Sequence, residues 1–130
     1  MPNTAALQKA LVVEDEGEMG LLLNIFMDER EFELDYVKDI LSAQEYLVHK
    51  QPSVIILDNK LPDGFGVDFI SYIKKNYPAI KIIMISGYGM VRDIAMDNGA
   101  DLFLEKPFTK MEFDRALASL MHPEANGDNN

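Results

Sequence analysis

Four apolar runs in this chain each stop abruptly on polar residues, and that recurrence constrains the fold more than any other feature. Ala10-Leu11-Val12-Val13 ends in Glu14-Asp15-Glu16, and Val54-Ile55-Ile56-Leu57 ends at Asp58. Residues 80–85 end at Ser86, and Leu102-Phe103-Leu104 runs into Glu105-Lys106-Pro107. Short runs rich in β-branched residues read as strands, and the unbroken apolar character of 54–57 implies burial on both faces.

The segments between these runs carry helical periodicity. Met19, Leu22, Leu23 and Phe26 share one stripe and predict a helix over 16–29, and 32–37 reads as a second strand. Asp39 is placed to cap a helix whose buried face is Ile40, Ala43, Tyr46 and Leu47. Residues 59–66 are loop chemistry, after which Phe69, Ile70 and Ile73 mark a third helix ending before Pro78. Val91, Ile94 and Ala95 predict a short fourth helix with a left-handed stop at Asn98-Gly99. Thr109 and Glu112 form a reciprocal capping box for a last helix that buries Phe113, Ala116, Leu117 and Leu120.

Five βα units within 130 residues predict one α/β domain, an open doubly wound parallel sheet that binds ligands beyond the carboxyl ends of its strands. The domain is expected over 1–122, and the polar stretch 123–130 as a frayed tail.

Composition removes many functions. Twelve Lys and Arg against 22 Asp and Glu give a net charge of −10, too acidic for the basic face that direct nucleic-acid binding needs. Anionic membrane surfaces are disfavoured for the same reason. The absence of cysteine excludes disulfides, thiolate metal sites and Cys nucleophiles. The two histidines, His49 and His122, are too few for a His-rich zinc site and are read as a helix-end and a tail residue. No apolar run is long enough for a membrane span and the start lacks a secretory leader, so a cytoplasmic, soluble domain is expected. The eight methionines are read mainly as core filling.

If the strands are parallel, their ends gather Glu14, Asp15, Asp58, Ser86 and Lys106 at one sheet edge. Any one of these residues alone reads as an ordinary turn or cap. Together they make a cleft with three carboxylates, which crowd one another unless a cation joins them. All-oxygen ligation points to Mg²⁺ or Mn²⁺ in an open, partly hydrated site. The hydroxyl and the ammonium then suit the oxygens of an incoming phosphoryl group.

From Leu11 to about Leu120 the sequence resembles the receiver domain of two-component response regulators. The resemblance is carried by Val12-Val13-Glu14-Asp15-Glu16, by Ile55-Ile56-Leu57-Asp58 with Leu61-Pro62-Asp63-Gly64 and Gly66, by Ile85-Ser86-Gly87, and by Gly99-Ala100-Asp101-Leu102-Phe103-Leu104-Glu105-Lys106-Pro107-Phe108. It implies a flavodoxin-like five-stranded parallel sheet in the order 2-1-3-4-5 with five helices. Asp58 is then the phosphoacceptor, taking a phosphoryl group from a sensor histidine kinase or a phosphotransfer protein. Asp15, Asp58 and the backbone carbonyl of Lys60 ligate Mg²⁺, with Glu14 acting through water. Lys106 and Ser86 contact the phosphoryl group.

Phe103 occupies the switch-aromatic position, beside the reading of it as a plain core residue. Lys60 and Tyr88 fall at variable positions where side chains screen the phosphoryl group. The implied output is a changed surface of the fourth helix, fifth strand and fifth helix, used for docking on a downstream target or fused output domain, or for homodimerisation. The resemblance thus implies a signalling domain rather than an enzyme, one expected to catalyse only its own phosphorylation and dephosphorylation.

Three other readings compete. A haloacid-dehalogenase-type phosphatase normally carries a second Asp where this chain has Lys60. A nucleotide or flavin binder wants phosphate loops that the acidic 14–16 segment does not provide. A receiver-like interaction module that is never phosphorylated is the main alternative, opposed by the intact set of Asp15, Asp58, Ser86 and Lys106.

Overall fold

The computed structural model describes residues 7–27 and 31–121. Strands β1 (Gln8–Val13), β2 (Phe32–Val37) and β3 (Val54–Asp58) alternate with helices α1 (Gly17–Phe26) and α2 (Ile40–His49). A two-residue ribbon, β4 (Lys60–Leu61) with β5 (Gly64–Phe65), precedes α3 (Gly66–Asn76). Then follow β6 (Lys81–Ser86), α4 (Arg92–Asn98), β7 (Leu102–Glu105) and α5 (Lys110–Met121). The main sheet is parallel throughout, in the order β2-β1-β3-β6-β7. Counting only its five strands, this is the expected order 2-1-3-4-5.

Strand alternation divides the core in two. Leu11, Val13, Ile55, Leu57, Ile82 and Met84 face α2, α3 and α4, where Ala43, Leu47, Phe69, Ile70, Ile73 and Ala95 meet them. Ala10, Val12, Val54, Ile56, Ile83 and Ile85 face α1 and α5, against Leu23, Phe26, Phe113 and Leu117. β3 is buried at every position, which is why its sequence reads as a continuous apolar run rather than an alternation.

The local signals act as their chemistry requires. Asp39 accepts from the Ser42 N–H at 2.8 Å and caps α2. Thr109 and Glu112 exchange backbone-to-side-chain bonds of 2.8 and 3.0 Å, closing the capping box of α5. Gly99 ends α4 at φ 115°, in the left-handed region.

Several expectations are corrected. α1 ends at Phe26, because Met27 is already extended while its N–H still closes on the Leu23 carbonyl; residues 28 and 29 of the expected helix lie outside the described residues. The 59–66 segment contains the β4–β5 ribbon rather than plain loop. Ile94, expected on the buried face of α4, is 53% exposed. That short helix buries Ala95 alone. Met27 and Met84 are core residues, but Met90, Met96 and Met111 are exposed, so the methionines divide between interior and surface. The expected tail and His122 lie outside the described residues, and His49 is the exposed last residue of α2.

Candidate functional site at the carboxyl edge of the sheet

Register decides what meets at the carboxyl edge. Val13 pairs with Leu57, Asp58 with Ile85, and Ser86 with Glu105. The chain therefore leaves β1, β3, β6 and β7 at nearly one level, and the polar residues just beyond come together. An open cleft of about 590 Å³ results, lined by Asp15, Glu16, Asp58, Asn59, Lys60, Leu61, Pro62, Ser86, Gly87, Tyr88 and Lys106.

Asp58 is 6% exposed. Its Oδ1 accepts from the Asn59 N–H at 2.8 Å and lies 3.3 Å from the Lys106 ammonium. Burial pushes its carboxyl above the ordinary carboxylate range, against the opposing pull of Lys106 and of the Asn59 N–H. Ser86 is 2% exposed, and its Oγ accepts from the Tyr88 N–H at 3.0 Å. That bond uses an acceptor lone pair and leaves the hydroxyl proton available to donate. The Lys106 N–H donates to the Ser86 carbonyl at 2.9 Å, so the backbones carrying ammonium and hydroxyl are joined directly.

The acidic segment after β1 divides. Asp15 and Glu16 are exposed on the cleft. Glu14 is buried, and its Oε2 accepts from the Gly20 N–H of α1 at 3.1 Å. Among the described residues its Oε1 finds no hydrogen-bond partner, and burial raises its carboxyl pKa. Three carboxylates converging from Glu14, Asp15 and Asp58 were expected. Instead, Asp15, Asp58 and Glu16 line the cleft, while Glu14 borders a neighbouring hollow with Gly20 and Tyr36. No group of three side chains close enough to hold a metal forms among the described residues.

This donor set still fits a hard divalent cation. Mg²⁺ is bound through one or two carboxylates, with water and carbonyl oxygen completing the shell. The buried, charge-penalised Asp58 and the orphaned Glu14 oxygen are the groups such an ion would relieve.

The sequence reading missed two supporting residues, Asn59 and Arg92. Asn59 is buried; its carbonyl accepts from the Gly66 N–H at 2.6 Å and its Oδ1 from the Val67 N–H at 3.1 Å, so it stitches β3 to the start of α3. A side chain at Gly66 would collide with the Asp58 carbonyl oxygen, which explains glycine there. Across the cleft, the Lys60 ammonium lies 5.0 Å from the centre of the Tyr88 ring. Phe103 is buried, with the Arg92 guanidinium 5.1 Å over its ring. Glu16 was legible as part of an acidic run, but nothing in the sequence marks Arg92 or Asn59.

Comparison with known proteins follows the same outline. Residues 10–118 match the response regulator receiver domain family. The chain is 32% identical to the response regulator protein PilR of Pseudomonas aeruginosa, over 91% of this chain and 28% of PilR. It is 29% identical to the phosphate regulon transcriptional regulatory protein PhoB of Escherichia coli, over 88% of this chain and 52% of PhoB. The chain thus spans about half or less of these curated relatives. Among solved structures, the beryllofluoride-activated NtrC4 receiver domain dimer is 34% identical, with a TM-score of 0.76 and coverage of 88% of this chain and 93% of that one. A response regulator receiver domain protein from Clostridium thermocellum, 24% identical, supports the fold alone, with a TM-score of 0.80 and coverage of 92% and 98%.

Proposed function

Since the chain belongs to the receiver-domain family of response regulators, whose role is to be phosphorylated by a histidine kinase, we propose that Asp58 is its phosphoacceptor. One observation carries this reading: a buried carboxylate at the end of the central strand, with the Lys106 ammonium at 3.3 Å and the Ser86 hydroxyl on the flanking strand.

Asp58 Oδ1 is engaged by Asn59 and Lys106, which leaves Oδ2 as the nucleophile. It attacks the phosphorus of a phosphohistidine on a sensor kinase or phosphotransfer protein. The P–N bond breaks as the P–O bond forms, and the imidazole leaves by taking up a proton. Lys106 balances charge on the transferred group, and Ser86 donates its free proton to one of the group's oxygens. Asp15, Asp58 and the Lys60 carbonyl would hold Mg²⁺, with Glu14 acting through water. When bound, the ion neutralises charge on the phosphoryl oxygens.

Output passes through α4, β7 and α5. Ser86 and Lys106 flank this region, and Met90, Ile94, Met96 and Met111 are exposed in or beside it, a surface for a target, a fused output domain or a second copy.

Incubation with acetyl phosphate and Mg²⁺ tests the proposal. Intact mass should rise by one phosphoryl group. Asp58→Asn should abolish the gain, and Asp15→Ala should cripple it without unfolding the domain. A chain that gains no phosphoryl group from acetyl phosphate or a phosphorylated kinase is instead an interaction module.

A further inference from the structure

The loop that follows Asp58 is anchored at two points, of which only the inner one lies in the cleft. At its root Asn59 binds the start of α3 through the Gly66 and Val67 N–H groups. At its tip the Asp63 carboxylate accepts from the Ile40 N–H at 2.9 Å and the Leu41 N–H at 3.0 Å. These are the first two residues of α2, whose next donor, the Ser42 N–H, is taken by Asp39. The free donors of the first turn are therefore shared between a local cap and a carboxylate from a different loop.

We propose that Asp63 is a positioning residue for phosphorylation: by clamping the loop tip to the N-terminus of α2, it fixes the Lys60 backbone at the edge of the cleft. The inference rests on the reading of Asp58 as phosphoacceptor and Lys60 as a carbonyl ligand.

Three features support it. Among the described residues Lys60–Leu61 pairs only with Gly64–Phe65, and a ribbon of two residues per strand is too short to hold its own place. Gly64 sits at φ 153°, and a side chain there would meet Ile40 Cδ1 at 3.1 Å, so the tip packs directly against the first residue of α2. The α2 N–H groups also hold the Asp63 carboxyl below the ordinary carboxylate range, as a helix N-terminus does for an anion. Its charge is thereby committed away from the cleft, which Asp15 and Asp58 line without it.

The test uses the full chain, with Asp63→Ala, Asp63→Asn and, as a control on the same helix, Asp39→Ala. Two quantities are read: the Mg²⁺ midpoint for labelling by acetyl phosphate, and amide exchange of residues 60–65 in metal-free buffer. Asp63→Ala should raise the midpoint roughly tenfold, the scale on which metal sites lose affinity when a residue orienting a ligand is removed. It should leave the rate at saturating Mg²⁺ near the parent's and speed exchange at 60–65. Asp63→Asn, which keeps an acceptor oxygen, should fall between the two. Asp39→Ala should lower thermal stability without moving either quantity.

An Asp63→Ala protein with parental midpoint and exchange overturns the positioning role. So does an Asp39→Ala protein that shifts both as far, since general weakening of α2 would then explain the effect. A parent that takes no label at Asp58 overturns the underlying reading, and the inference with it.

Discussion

At Asp58 burial and charge pull in opposite directions. The residue sits in a fully buried strand, yet the proposed phosphoryl transfer requires an ionised oxygen, and Lys106 offsets the burial only in part. The same residue is hemmed in from behind by Gly66, where a Cβ would strike the Asp58 carbonyl and crowd Leu57 and Met84. Gly66→Ala should therefore cost about 1 to 3 kcal/mol, the usual scale of overpacking, and slow phosphorylation more than that loss of stability explains. Urea midpoints and labelling rates of the folded variant check this together. The cluster proposed to carry the chemistry was legible in the sequence because its members follow apolar runs. Their supports were not: Asn59 looks like any loop asparagine, and Arg92 over Phe103 depends on a crossing that no local pattern encodes.

Among the elements, the central strands and the caps were readable because their signals are local. The continuous run of β3 and the Thr109–Glu112 box require only neighbours in sequence. α4 was harder, because seven residues flanked by Gly89 and Gly99 bury only Ala95, and helical spacing alone placed Ile94 inside. The β1–β2–α2 edge shows how tertiary contacts add what periodicity omits. The Tyr46 hydroxyl donates to Asp35 at 2.6 Å, and Lys9 lies 3.4 Å from the same oxygen. The Tyr46 bond, assisted by Lys9 and opposed by burial, holds the Asp35 carboxyl below its ordinary value. A carboxyl depressed on folding contributes stability above its unfolded pKa and loses it as pH falls through the folded value. Tyr46→Phe should thus lower stability by about 1 kcal/mol at neutral pH, and the gap should close as pH falls below ~3.9. Urea midpoints in neutral and acid buffer give the answer; a gap that persists in acid would mean that lost packing, not the charged hydrogen bond, is responsible.

For the whole molecule, a parallel sheet with both faces covered sets the carboxyl edge at one level, while α4 buries only Ala95. A phosphoryl group can act on distant surfaces only through its different interactions with two states of the protein. On the proposed reading Ser86, at the end of β6, and Lys106, just past β7, are joined by backbone hydrogen bonding and placed to sense it. A beryllofluoride adduct with Mg²⁺, standing in for the phosphoryl group, should change amide exchange from Ser86 to Lys106 with little change in α1. Lys106→Ala should weaken the response while leaving Asp58 open to modification. Changes confined to the Asp58 loop would mean that the domain is modified without passing the event on.

The central claim is chemical, that one particular carboxylate carries the phosphoryl group. It is tested most directly by labelling the chain with acetyl phosphate and Mg²⁺, reducing the acyl phosphate with borohydride, and locating the resulting homoserine by peptide mass spectrometry. The account predicts a single conversion, at position 58, that disappears when Mg²⁺ is withheld. Conversion at Asp15 or Asp63 in the intact protein would contradict it.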